Sequence, residues 1–212
     1  MDHLRAAVNS FLGGDVPAAD IAGILALFTR REKVACDDMA AVVSTGLDET
    51  LLVLWEWKLV IPVRYERCSE WDFRILRAEP GEYFEMPNIV KTLVEKGMET
   101  GRWESAAAIR DLFRVMGEPE WERMPQLVLL MKREARHNII SGVRIGAACS
   151  RCGLGGKTGA MIAVLKGAGV ISPKLAAVGS AARARSPLYE FNPSVYAELH
   201  VWRHDTRKTT GS

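Results

Sequence analysis

The chain has 212 residues, 48% of them hydrophobic and 25% charged, with a formal net charge of +2. These proportions suit a soluble, folded protein built as one large domain or two small ones. No stretch free of Asp, Glu, Lys and Arg exceeds nine residues, which excludes a transmembrane helix.

Taken in order, Leu4, Ala7, Val8 and Phe11 fall at helical spacing and predict a helix over residues 2–12. Gly13-Gly14 ends it, and Asp15 with Pro17 starts a second helix whose apolar face is Ile21, Ile24, Leu25 and Phe28. The polar run Thr29 to Glu32 breaks that pattern. Asp37-Asp38 then opens a helix through Met39, Val42 and Val43, with its acids near the positive helix end. After the turn at Thr45-Gly46-Leu47, Asp48 is the expected N-cap of a helix from Glu49 to about Leu59, burying Leu51, Leu52, Leu54 and Trp55. Residues 60–65 read as a strand, 66–70 as a turn, and Trp71, Phe73 and Ile75 alternate with charged residues as in a half-buried strand.

Met86-Pro87-Asn88 starts a helix with Ile89, Leu93 and Met98 apolar, and Gly101 interrupts it. A second helix covers Ala106 to Met116, turning Ile109, Leu112 and Phe113 inward, before Gly117-Glu118-Pro119 ends it. Trp121 to Arg136 predicts another helix, burying Leu127, Leu130 and Met131. A short helix from Gly142 to Cys149 follows, then the glycine-rich turn Gly153-Leu154-Gly155-Gly156, and a helix from Lys157 to Ala168. The chain continues as Gly169-Val170-Ile171, a loop from Lys174 to Pro187, and a strand-like Leu188 to Phe191. Asn192-Pro193-Ser194 is placed to cap a last helix with Val195, Leu199 and Trp202, and residues 206–212 read as a frayed polar tail.

Two short helices across a tight turn, followed by a hairpin, resemble the winged helix-turn-helix superfamily. The same order recurs in the first half, with Met39, Leu47, Leu51, Leu54 and Val60-Ile61 set against Ala148, Leu154, Ile162, Leu165 and Val170-Ile171. The expectation is a mainly α chain with small β-hairpin wings (α+β), a degenerate tandem repeat of one module. Its parts are an N-terminal module at residues 1–86, a helical connector at 87–120 and a C-terminal module at 121–212. The connector is expected to space the modules or to form a dimer seam.

Charge is unevenly spread. Residues 1–86 carry 9 Lys/Arg against 15 Asp/Glu, whereas residues 143–212 carry 10 against 3. No acidic residue stands between Glu134 and Glu190, so a polyanion is attracted to one end of the chain and repelled by the other. In winged-helix proteins the third helix usually lies in the DNA major groove, and the wing touches backbone or minor groove. By position, this resemblance implies that Lys157, Thr158, Met161 and Lys166 face DNA from the third helix. It adds Lys174, Arg183 and Arg185 from the wing loop, and Arg144 and Arg151 beside the second helix. Such cations neutralise phosphates and release counterions, while Gly155, Gly156, Gly159 and Ala160 let a helix N-terminus approach a phosphate. That helix has no Arg, Asn or Gln to grip a base edge. In the first module, Asp37, Asp38, Asp48, Glu49 and Glu56 oppose phosphate, and Trp55 and Trp57 beside them fit a protein partner or simple packing.

Gly156-Lys157-Thr158 is not a phosphate-binding loop, since Arg151 stands where its first glycine is needed and a helix replaces the preceding strand. Cys149-x-x-Cys152 and His200-x-x-x-His204 have metal-ligand spacing, yet a lone CxxC on a helix more simply places two thiols on a buried face. His137 reads as a helix-end residue. No nucleophile–base pair is recognisable, so no catalysis, cofactor or metal is expected. The four cysteines (Cys36, Cys68, Cys149, Cys152) fit reduced thiols in a cytoplasmic protein, because Asp2, Arg5 and Asp15 make a poor export signal. The expected function is duplex DNA binding by the C-terminal module, in transcriptional regulation or assembly on DNA, with no membrane contact. A protein partner, or another copy, is expected on the N-terminal module and connector. The alternative is a non-catalytic winged-helix scaffold in a larger complex.

Overall fold

The structure, a computed structural model, describes residues 1–12, 17–44, 46–63, 80–174 and 186–197. It is mainly helical with two small antiparallel sheets, an α+β arrangement. In the N-terminal half, α1 (Asp2–Leu12) and α2 (Ala18–Phe28) bury the apolar residues that their spacing predicts. Pro17 immediately precedes α2, where its fixed φ costs the helix nothing. Three residues then form β1 (Lys33–Ala35), followed by α3 (Cys36–Ala40), α4 (Leu47–Glu56), β2 (Ile61–Pro62) and β3 (Tyr83–Glu85). Helices α5 (Asn88–Thr100) and α6 (Ser105–Val115) lead to the second half. That half comprises α7 (Met124–Glu134), β4 (Ile139–Ser141), α8 (Gly142–Arg151), α9 (Thr158–Gly167), β5 (Ile171–Lys174) and β6 (Leu188–Phe191). One 3-10 turn, Gly155–Lys157, joins α8 to α9.

The two sheets share a plan. Their strand orders are β1-β3-β2 and β4-β6-β5, so in each the first strand and the strand after the paired helices flank the last. Lys58 (φ 49°) and Gly169 (φ 74°) occupy the same place, the left-handed residue that ends α4 and α9. On the far side of each, Leu59 N–H donates to Leu54 O at 2.8 Å and Val170 N–H to Leu165 O at 3.0 Å. Pro62 and Pro173 then stand on the edge strands β2 and β5, where a missing N–H discourages further pairing.

Several expectations shift. Counted from Lys58 and Gly169, Val170-Ile171 corresponds to Leu59-Val60, not to Val60-Ile61. Counted from the paired residues Val34 and Ile140, Met39 corresponds to Ile145, not Ala148, and both are fully buried. Strands β1, β3 and β4 have three residues each, too short for an alternation to be visible. Helix α4 starts at Leu47 after Gly46, so Asp48 lies in its first turn instead of capping it. Leu52, expected inside, is 56% exposed, and Trp55 is half-buried. The Trp71/Phe73/Ile75 alternation and the end of the last helix lie outside the described residues. Val195 is buried in the turns before that point.

The connector is no spacer. Helix α5 packs on α1 and α6, and α6 on α7. Ile89, Leu93, Ile109 and Phe113 are fully buried in one core that runs from Leu4 to Ala197. Their buried faces are spent on intramolecular packing because both helices are amphipathic and each finds a neighbour within the chain, while Met98, Val115 and Met116 stay exposed.

The halves meet through polar groups as well. Asn192, fully buried, donates its amide to the carbonyls of both Lys58 (3.3 Å) and Gly169 (3.2 Å). One side chain therefore ties together the left-handed residues that end α4 and α9. Lys58 extends over the Trp55 ring, 3.6 Å from its centroid, with its ammonium 3.7 Å from Glu190. Gly169 has no such freedom, because a Cβ there would lie 2.6 Å from Pro87 Cβ. Ile89 N–H donates to Ala168 O at 2.9 Å and the indole of Trp103 donates to Ser194 O at 2.8 Å.

Candidate nucleic-acid interface

The helix pair α8–α9 is assembled by small residues. Ser141 caps α8, its hydroxyl accepting from Arg144 N–H at 3.4 Å. Gly153 (φ 72°) ends α8 in the left-handed conformation. Gly155 lies so close to Ser150 that a Cβ would come within 2.7 Å of its hydroxyl. Thr158 packs over Gly146 of α8, where a Cβ would meet it at an ordinary contact distance of 3.7 Å, and the Thr158 hydroxyl donates to Gly155 O at 2.9 Å.

On the outward side of α9 and the turn before it lie Gly156, Lys157, Gly159, Ala160, Ala163, Lys166 and Gly167. A Cβ on Gly156, Gly159 or Gly167 would meet nothing within 4 Å, so this face is open and nearly flat, with a lysine towards each end. Met161 does not belong to it. It is buried, with Leu165, beneath the helix, because its thioether chain is the larger apolar group on the core-facing side. Thr158 is half-buried and engaged in the turn. Lys174 ends β5, half-buried. Arg183 and Arg185 lie outside the described residues.

Three of the expected cations are engaged by carboxylates of the segment around α7. Lys157 Nζ lies 2.7 Å from Glu120 Oε1, and Arg123 stands 3.4 Å from the other oxygen. The Lys157 ammonium, hydrogen-bonded to Glu120, holds that carboxyl below its ordinary range. Arg144 donates to Glu134 O at 2.7 Å and lies 3.8 Å from its carboxylate, while Arg151 is 3.6 Å from the same group. The stretch without acids is thus partly neutralised from outside itself. No local signal in the sequence marks Glu120 and Glu134 for this role, since their partners Lys157 and Arg144 stand 37 and 10 residues away. Lys166 is exposed and makes no ion pair among the described residues.

Burial pushes the Cys149 thiol up, partly offset by hydrogen bonding with Thr158, and burial likewise raises Cys152 against the pull of Arg151 and Arg123. Both are free thiols packed under the turn, so neither is set up as a ready thiolate. No group of three metal-ligating side chains occurs among the described residues, and His200 and His204 lie outside them. His137 (φ 49°) and Asn138 (φ 59°) form the tight turn between α7 and β4, closed by Arg136 and Ile139 bonding to each other at 2.9 Å. A helix, α8, stands where a phosphate-binding loop needs a strand before Gly156.

The N-terminal half carries a different face. Counting back from Lys58 and Gly169, the positions of Gly159, Ala160, Ala163 and Gly167 are filled by Asp48, Glu49, Leu52 and Glu56, all exposed. Asp38 pairs with Arg31. Trp57 packs against Phe11 with ring centroids 5.0 Å apart, and Trp55 carries Lys58, so neither tryptophan stands free.

Among the described residues, fold and surface together define an α+β chain with a strand–helix–helix–strand–strand order in each half and a smooth, lysine-ended face on α9. A family model matches residues 6–201, and the chain belongs to that family. No curated protein and no solved structure matches it. No helix among the described residues is long and apolar enough to cross a membrane.

Proposed function

We propose that the chain is a tandem winged-helix protein whose C-terminal half binds duplex DNA, in transcriptional regulation or assembly on DNA. The observation that carries this is the outward face of α9. It is bare of bulk at Gly156, Gly159, Ala160 and Ala163 and has Lys157 and Lys166 towards its ends. A helix so stripped lets the phosphate backbone approach closely, and its cations release counterions on contact. It offers no fork-shaped side chain to a base edge, so the contact is mainly to phosphate and to DNA shape. The repeated strand order and the left-handed residue ending α4 and α9 support the modular reading.

A fluorescent-duplex titration across salt tests it. Affinity falls steeply as salt rises, and each removed phosphate contact (Lys166→Ala, or Arg183→Ala with Arg185→Ala) lowers the slope by about one per contact. Weak binding that ignores both salt and these substitutions would remove the proposal. The second reading, a protein-binding scaffold, is favoured by the ion pairs that already occupy Lys157, Arg144 and Arg151. The same flat titration is its expected result.

A further inference from the structure

The acidic helix face of the N-terminal half and the smooth face of α9 are complementary. Along α4, Asp48, Glu49 and Glu56 are exposed and make no ion pair among the described residues. Leu52 projects from among them at 56% exposure. On α9 the equivalent positions form a floor of Gly159, Ala160, Ala163 and Gly167, flanked by Lys157, which Glu120 holds at the exposed rim, and by Lys166, which makes no ion pair among the described residues. One face has a knob among carboxylates, and the other a flat bed between ammonium groups. The chain's two ends are charged to match, at 9 Lys/Arg against 15 Asp/Glu for residues 1–86 and 10 against 3 for residues 143–212.

We propose that α4 of one copy docks on α9 of a second copy, with Leu52 on the Gly159/Ala160/Ala163 bed and Glu49 and Glu56 reaching the lysines. A second copy is the occupant because this chain carries both halves of the complementarity at equivalent positions of its repeat. The contact is head-to-tail, so it closes into a ring or grows into a chain. Charge at its rim sets orientation and on-rate, and salt weakens it. The docking does not depend on the DNA reading. One consequence rests on it: duplex DNA and the second copy compete for the α9 face.

Sedimentation velocity without DNA, over a wide concentration range at low and high salt, tests the docking. Wild type associates at low salt and less at high salt. Leu52→Asp, at an exposed position, keeps the wild-type melting temperature and associates about tenfold more weakly. Glu49→Lys with Glu56→Lys, and separately Lys166→Glu, are each monomeric, while an equimolar mixture of the two regains association, as pairs, because the unaltered α4 of the Lys166→Glu copy meets the unaltered α9 of the other. A wild type that stays monomeric at low salt, variants that associate like wild type, or a mixture that stays monomeric would each overturn it. A duplex titration run beside these keeps the two ideas apart. Duplex binding by a persistently monomeric wild type removes only the docking, and salt-sensitive association without duplex binding removes only the DNA reading.

Discussion

Asn192 is the side chain on which the joining of the two halves rests most directly. Its amide nitrogen serves the Lys58 and Gly169 carbonyls, while its oxygen accepts from Ser194 N–H at 3.0 Å and from the Ser194 hydroxyl at 2.7 Å. Asn192→Ala leaves buried groups on both sides without a partner. Each such group costs roughly 1–3 kcal/mol, and because all four bonds share one side chain the total is about 3–5 kcal/mol rather than the sum. Against a typical stability of about 5–15 kcal/mol this is a large fraction. Urea unfolding, followed by tryptophan fluorescence, measures it well, since Trp103 is buried and donates to Ser194 O. Asn192→Asp is the sharper variant. It keeps an acceptor for Ser194 but turns an oxygen towards two carbonyls, so burial and repulsion raise its folded pKa above the unfolded value of about 3.9. A group raised in this way stabilises the fold fully below the unfolded pKa and loses that contribution as pH rises through the folded one. Asn192→Asp is therefore closest to wild type below about pH 4 and falls further behind towards neutrality, whereas Asn192→Ala shows no such slope. A deficit under about 0.5 kcal/mol for Asn192→Ala, or a pH-independent Asn192→Asp, would refute the role assigned to this residue.

Gly169→Ala places a Cβ in the left-handed region and 2.6 Å from Pro87 Cβ; a loss of about 2–4 kcal/mol is expected in the same assay. Asp111 lies 2.8 Å from Lys96, tying α5 to α6, and that hydrogen bond holds its carboxyl below the ordinary range. A depressed pKa stabilises the fold above the unfolded value and is lost as pH falls through the folded one. Asp111→Asn therefore costs about 0.3–1 kcal/mol at neutral pH and nothing at strongly acid pH. Glu120→Gln releases Lys157. The melting temperature stays near that of wild type, while duplex affinity at low salt rises and its salt dependence steepens. An unchanged affinity would show that Lys157 does not meet phosphate.

Helices α1, α2, α5 and α6 were legible because each repeats apolar residues at helical spacing over 11 to 13 positions, a signal that depends on the chain alone. The paired helices of each half could be read for the same reason, and so could the turn at Gly153 to Gly156. The register of the repeat could not. It hangs on Lys58, a left-handed residue that no local rule predicts, whose side chain lies over the neighbouring Trp55 and which Glu190 and Asn192 contact from a distant part of the chain. Three-residue strands escape periodicity, and hydrogen bonding to a remote partner creates them. For the basic face, composition revealed where cations gather along the chain, but not which remain available. Glu120 and Glu134 reach Lys157, Arg144 and Arg151 through packing of α7 against α8 and the turn beyond. Met161 and Leu52 were misplaced for one reason: an apolar side chain states a preference for burial, and the rotation of the packed helix determines which of several apolar residues is accommodated.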